Sequence, residues 1–529
     1  MPTVANSRPH TESAVTFGED RISIDDIVAL ADGLRSASLS EQTDFRDKIV
    51  KGSAFLDKLL QEDGVIYGVT TGYGDSCTVI VPAALVDELP AHLTRFHGCG
   101  MGACFEPRTG RAILAARLAS LAQGYSGVRM ALLDQIRQLL NHDIVPVIPE
   151  EGSVGASGDL TPLSYVAAAL MGERQVYYKG KTRNTGEVLR EAGLQPLTLK
   201  PKEGLAVMNG TAVMTGIACL AYSRAEYLTR LAARITALAS LALKGNGNHF
   251  DDLLFAVKPH PGQNRVAAWI REDINHHEHP RNSDRLQDRY SIRCAPHVIG
   301  VLNDSLPWMR QMIENELNSA NDNPIIDGRG EHVLHGGHFY GGHIAFVMDS
   351  MKNCVANLAD LMDRQLALLV DTKFNNGLPA NLSGATGLRK TINHGMKAVQ
   401  IAVSAWTAEA LKNSMPASVF SRSTECHNQD KVSMGTIAAR DCLRSLQLTE
   451  QVAAAALLAA SQALELRLRA GEIKEQTLSA GILAMRKNVF EHFEFMTEDR
   501  PLESALRQFV ELIQHKQWAL YPETGAAAK

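Results

Sequence analysis

Three consecutive small residues, Ala156-Ser157-Gly158, are the part of this chain whose types and order permit chemistry that ordinary side chains lack. If the Gly158 amide nitrogen attacks the Ala156 carbonyl, a five-membered ring closes. Loss of two waters, one of them from Ser157, then leaves a methylidene-imidazolone with an exposed, electron-poor alkene. Glycine supplies the least hindered nitrogen and serine the leaving hydroxyl. In a chain with 41 glycines an isolated Ala-Ser-Gly reads as an ordinary loop. The whole run from Gly152 to Leu163, with Asp159 directly after the triplet, narrows that reading.

A loop of this kind needs a rigid frame, and the rest of the sequence is dominated by helix. Thr211 to Leu243 is rich in Ala, Leu, Met and Ile, contains no proline and lies between Asn209-Gly210 and Gly245-Asn246-Gly247, the pattern of a long helix with breakers at both ends. Its apolar residues run nearly all the way round, so it belongs inside a bundle. Thr109 to Asn141, Gly342 to Asp371, Thr391 to Asn413 and Ser433 to Ala470 repeat the pattern. Strand-like stretches are few: Thr78 to Val81, Gln175 to Tyr178 and Pro196 to Leu199. The expected fold class is mainly α, a long-helix bundle with a loop-rich N-terminal catalytic part. Its expected division is residues 1–203 as the N-terminal part and 204–529 as the bundle. The terminal run Gly525 to Lys529 reads as a disordered tail.

Composition excludes several function classes. With 529 residues, 45% hydrophobic and 21% charged, the chain can bury a large core. A net charge of −5 with no basic block gives no general attraction for nucleic acid or an anionic membrane. The start lacks the basic head and apolar core of a signal peptide, and the apolar stretch Leu231 to Leu243 is broken by Arg234, so no membrane span and a cytoplasmic location are expected. Eight cysteines without a CxxC pair read as reduced thiols, most of them in the core. The sets His276-His277-Glu278-His279 and His332, His335, His338, His343 lack HExxH, and no metal is expected. The glycine clusters Gly68/Gly72/Gly74 and Gly98/Gly100/Gly102 lack the context of a phosphate loop and read as tight turns.

From Tyr67 to Met434 the motifs, in order, resemble those of the aromatic amino-acid ammonia-lyase and aminomutase family, which includes the histidine, phenylalanine and tyrosine lyases. The run around Ala156-Ser157-Gly158 is similar to the family's signature for the ring, formed autocatalytically with no external cofactor. Tyr67, in Tyr67-Gly68-Val69-Thr70-Thr71-Gly72-Tyr73-Gly74, falls where the family has the base that takes the substrate's β-proton. A phenol with a reference pKa near 10 must be lowered for that task, and an arginine or helix N-termini would do so. Glu203 to Gly210 resembles the element whose asparagine, here Asn209, contacts the ring. Gln287 to Pro296 resembles the element in which Gln287 and Tyr290 line the site and Arg293 holds the substrate carboxylate through two parallel donors. Ser319 to Pro324 and Gly336 to Gly341 bring Asn323 and Phe339 to the substrate, although His338 and Tyr340 depart from the usual residues.

The element His427-Asn428-Gln429-Asp430 carries the pattern of the phenylalanine and tyrosine enzymes, with Asn428 and Gln429 at the substrate; histidine lyases have glutamate where Gln429 stands. The family's ring-selectivity pair falls on Phe96-His97. Phenylalanine enzymes commonly carry Phe-Leu there, tyrosine enzymes His-Leu and histidine enzymes Ser-His, so this pair matches none of them. The resemblance implies elimination of ammonia from L-tyrosine or L-phenylalanine to a trans-arylacrylate by a homotetramer whose sites draw on several subunits. The alternatives are a 2,3-aminomutase, a histidine ammonia-lyase and, from another class, a non-catalytic helical scaffold with a decayed site.

Overall fold

The computed structural model describes residues 14–62, 64–275 and 286–521, and the fold is mainly α. The His276 to His279 set and the Gly525 to Lys529 tail lie outside the described residues. The longest expected helices form with ends shifted by a residue or two: Ala212–Ala242, Gly342–Val370 and Gly435–Arg469. Residues of Ala212–Ala242 are buried on every side, as its apolar circumference requires. Two expectations need correction. Thr109 to Asn141 is two helices, Pro107–Leu121 and Met130–Asn141, because Gly124 and Gly127 adopt positive φ between them. The helix expected from Thr391 starts only at Lys397, after a 3₁₀ turn at Gly387–Thr391 and a positive φ at Gly395.

The chain folds as two units, each discontinuous in sequence. One comprises the residues through Ser223 with Met309–Asp349 and Pro416–Arg440, the other Arg224–Trp308, Ser350–Met415 and the residues from Asp441. A single cut after residue 203 therefore does not separate them: segments late in the chain return to the first unit.

In the first unit, short strands frame the loop that follows Glu151. Met101–Cys104 pairs antiparallel with Pro149–Glu151, and Val145–Pro146, Gln175–Tyr178 and Lys181–Asn184 form a three-stranded antiparallel sheet. The expected strand at Thr78 to Val81 is reduced to one bridge between Thr71 and Ile80, and Pro196 to Leu199 is not a strand. In the second unit, several buried charged side chains of the long helices are paired. Arg224 holds Glu450 at 2.7 Å, and Arg234, which interrupts the apolar run, holds Asp273 at 2.6 Å. Arg467 donates to the Ala242 and Asn375 carbonyls at 2.9 and 2.7 Å. Only Cys219 and Cys442 of the eight free cysteines are buried; Cys77, Cys99, Cys104 and Cys426 are exposed, because they lie on loops and a strand edge instead of the core. Among the described residues no helix is long and apolar enough to cross a membrane, and no three His, Cys, Asp or Glu side chains group as metal ligands.

Candidate active site

The Ala156-Ser157-Gly158 loop leaves the strand Pro149–Glu151 and enters the helix Leu160–Leu170. Gly155, Ser157 and Gly158 all have positive φ, and for serine that is a strained conformation that surrounding structure must enforce. Two backbone bonds clamp the loop: Gly210 N–H donates to the Ser157 carbonyl at 3.0 Å, and Asp159 N–H donates to the Gly210 carbonyl at 2.8 Å. A Cβ at Gly158 would collide with the Gly210 carbonyl, so only glycine fits.

Asp159 is fully buried and accepts from Ser153 Oγ at 3.0 Å, from the Val213 and Met214 amides at 3.1 and 3.0 Å, and from Thr436 Oγ1. Its carboxylate thus ties the loop to the first turn of the Ala212–Ala242 helix, where a negative charge is favoured. Burial raises its pKa, against the pull of these donors. The compact turn, the glycine-only position after Ser157 and the accessible Ser157 Oγ suit closure of the Ala156-Ser157-Gly158 ring.

Ala156 and Ser157 line a cavity of about 480 Å³ together with Tyr67, Asn323, Phe339, Asn428 and Gln429. Seven of the residues singled out in the sequence thus meet here, from five separated segments. Gln429 Oε1 accepts from Thr424 Oγ1 at 2.9 Å, which fixes the amide so that Nε2 points at Ser157 Oγ, 3.4 Å away. Asn323 Oδ1 accepts from Gly336 N–H at 2.8 Å, and Asn209 Nδ2 donates to the Asn323 carbonyl at 3.1 Å. Asn209 Oδ1 is buried with no partner, an unused acceptor at the edge of the clamp. Cys77, His335, Asp430 and Lys431 also line the cavity, and the sequence reading assigned none of them. His335 and Lys431 directly flank the recognised motifs, which was the available signal.

Tyr67 Oη accepts from the Gly74 amide at 2.8 Å, and its ring meets His335 edge-on with centroids 6.5 Å apart. Its surroundings differ from expectation. Burial pushes the phenol above its ordinary value; the Gly74 amide pulls it down, and the carboxylate of Glu425 pushes it up again. No arginine is among these influences. Glu425 is held in place by the Asp75 amide, at 2.9 and 3.0 Å to its two oxygens. A base that must be ionised, with its pKa raised, is scarce at neutral pH and gains population as pH rises. The activity is therefore expected to climb toward alkaline pH. Glu425→Gln removes a negative neighbour, lowers the phenol pKa and should move this rise to lower pH in a kcat/KM profile; an unmoved or upward-moved rise would contradict the assignment.

The other predicted residues lie elsewhere. Phe96 ends the helix Leu89–Phe96, is 60% exposed and, like His97, does not line the cavity. His97 Nδ1 lies 3.0 Å from the Leu93 carbonyl, which can only accept, so Nδ1 carries the proton. Burial lowers the His97 pKa below the ordinary imidazole value, the Leu93 carbonyl opposes this, and Arg174 adds to the lowering. The neutral ring therefore offers Nε2 as an acceptor. Gln287, Tyr290 and Arg293 belong to the second unit. There the Arg293 guanidinium lies 4.7 Å over the Tyr290 ring, with no carboxylate partner among the described residues and with a buried, unpartnered Nε.

The family model for aromatic amino acid lyases matches residues 22–489. Histidine ammonia-lyase of Bos taurus is 37% identical over 462 residues, covering 86% of this chain and 69% of its own. That of Geobacillus sp. (strain WCH70) is 40% identical over 414 residues, covering 78% and 80%. The crystal structure of tyrosine aminomutase from Streptomyces globisporus superposes with a TM-score of 0.87 at 31% identity, over 95% of this chain and 97% of the other. With the family model matching residues 22–489 and histidine ammonia-lyases 37% and 40% identical to it, the chain belongs to the aromatic amino acid lyase family and is an ammonia-lyase enzyme.

Proposed function

We propose that the protein eliminates ammonia from an aromatic L-amino acid at the cavity that holds Tyr67 and Ser157, using a methylidene-imidazolone ring built from its own Ala156, Ser157 and Gly158. The observation that carries this reading is the meeting, in one cavity, of Tyr67, the strained and clamped Ser157 and Gln429. When formed, the ring supplies an electrophile that no ordinary side chain offers. Gly210 N–H, Gln429 Nε2 and the Asp159 anchor would hold it, and the unused Asn209 Oδ1 would accept from a donor nearby.

Tyr67, as phenolate, takes the β-proton, with the Gly74 amide holding its oxygen in place. Asn323 and Phe339, which line the same cavity, orient the substrate, a proximity contribution. Arg293, free of any carboxylate among the described residues, is assigned to the substrate carboxylate, with Gln287 and Tyr290 beside it. Tyr290 is 72% exposed in the single chain, in keeping with a homotetramer in which neighbouring copies complete each site. The protein is placed in the cytoplasm.

For the substrate, the two histidine ammonia-lyases named above favour histidine, which the sequence left as an alternative to tyrosine and phenylalanine. His97 lies outside the single chain's cavity and would meet the substrate only from a neighbouring copy, where its unprotonated Nε2 could accept from an imidazole N–H. A second reading, an arylalanine, rests on Gln429, whose neutral amide stands where histidine enzymes carry glutamate. Steady-state kcat/KM for histidine, tyrosine and phenylalanine, with product identification, decides between them. Free arylacrylate marks a lyase and a β-amino acid a mutase. His97→Leu should reduce kcat/KM for histidine or tyrosine about tenfold to a hundredfold, the scale of a lost buried hydrogen bond of about 1–3 kcal/mol, and leave phenylalanine nearly unchanged. Equal losses on all three would remove His97 from ring recognition.

A further inference from the structure

Arg117 is a fully buried guanidinium with no carboxylate in ion-pair contact among the described residues. An unpaired buried charge is costly, and where one is retained its surroundings must use it. Its Nη1 donates to the Asn209 carbonyl at 2.9 Å and reaches Asn321 Oδ1 at 3.4 Å; Nη2 donates to Ser120 Oγ at 3.3 Å, and Nε has no partner. Burial lowers the guanidinium to about 10, with Asp322 and Asp159 opposing. The nearest of these charges are already engaged: Asp322 pairs with Lys202 in a fully buried bridge, and Asp159 binds helix amides.

The direction in which this charge acts follows from connectivity. The Asn209 carbonyl and the Gly210 N–H belong to one peptide group. Arg117 donates to the first, and the second donates to the Ser157 carbonyl at 3.0 Å. Hydrogen bonds in series polarise one another, so a cation at the start of the chain makes the last donor more electron-poor. Gly210 has φ of 143°, and a Cβ there would strike both Arg117 Nη1 and Asn321, so the guanidinium packs directly on this peptide.

Ring closure removes the Ala156 carbonyl oxygen and Ser157 Oγ as the two waters, and keeps the Ser157 carbonyl oxygen in conjugation with the new alkene. That oxygen is where electron density gathers when the alkene is attacked. We infer that Arg117 is a positioning residue that acts through the Asn209-Gly210 peptide to draw electron density toward the Ser157 carbonyl and so strengthen the electrophile. This rests on the ring proposed above. It differs from a simple strut because it requires charge, whereas a strut requires only shape.

The test compares wild type, Arg117→Lys and Arg117→Gln, each as the full chain. Peptide mass reports whether the ring has formed, and infrared spectra of protein carrying carbonyl-¹³C serine report the stretch of the ring carbonyl. Arg117→Gln is expected to carry the ring, to show its carbonyl band at higher wavenumber and to lose roughly ten- to a hundredfold in kcat, somewhat less than removal of a direct oxyanion donor. Arg117→Lys should lie closer to wild type on both readouts. A folded Arg117→Gln with the ring formed and the carbonyl band unmoved overturns the inference, as does loss of the ring in both variants, which makes Arg117 a folding strut. An unmodified wild-type peptide would instead fail the ring itself, and is distinguished by needing no variant.

Discussion

Ser157→Ala is expected to give a folded protein whose turnover falls by on the order of 10³-fold or more, the scale lost when a central catalytic group is removed outright. The fold should survive because, among the described residues, the hydroxyl's one hydrogen bond is the long 3.4 Å approach of Gln429 Nε2. The positive φ of residue 157 strains alanine and serine alike, so it adds no new penalty. Without the hydroxyl the second water cannot leave, and no alkene forms. The check is turnover together with the melting temperature and far-ultraviolet circular dichroism. Near wild-type activity in a folded variant would exclude Ser157 as the source of the electrophile.

Tyr67→Phe carries the second largest effect. It keeps the ring packed against His335 and removes only the oxygen that the Gly74 amide holds. Loss of a general base costs on the order of 10² to 10⁴ in rate. Since the phenol's pKa is raised, the alkaline climb in kcat/KM should vanish with it, while the peptide mass at residues 156–158 stays that of wild type. A variant that retains more than about a tenth of wild-type turnover, a loss smaller than even the low end of that range, is incompatible with Tyr67 as the essential base. A variant that loses the ring would show Tyr67 to be structural.

What the sequence made visible is what local pattern controls. The helix Ala212–Ala242 could be seen because it has no proline and sits between glycine breakers, and the Ala156-Ser157-Gly158 loop because its chemistry is contiguous. The helix Ala295–Leu317 was not read, because Pro307 interrupts its pattern; tertiary packing tolerates the proline. The roles of Arg117 and Asp159 stayed hidden for another reason. Each acts through partners brought from distant segments, Asn209 and Asn321 for one and Val213, Met214 and Thr436 for the other. The electrostatics of Tyr67 were misjudged on the same ground: its negative neighbour, Glu425, enters from the far end of the first unit's sequence. Composition and spacing do not encode such encounters.

Whether this chain makes its own electrophile is read from the mass of one peptide. Native protein, active in an elimination assay, is digested and the fragment containing Ala156, Ser157 and Gly158 is weighed. The expected fragment is lighter than its sequence by two waters, with the Ser157→Ala fragment lacking the loss of the serine water. A fragment at its full sequence mass, from protein that eliminates ammonia, would contradict it.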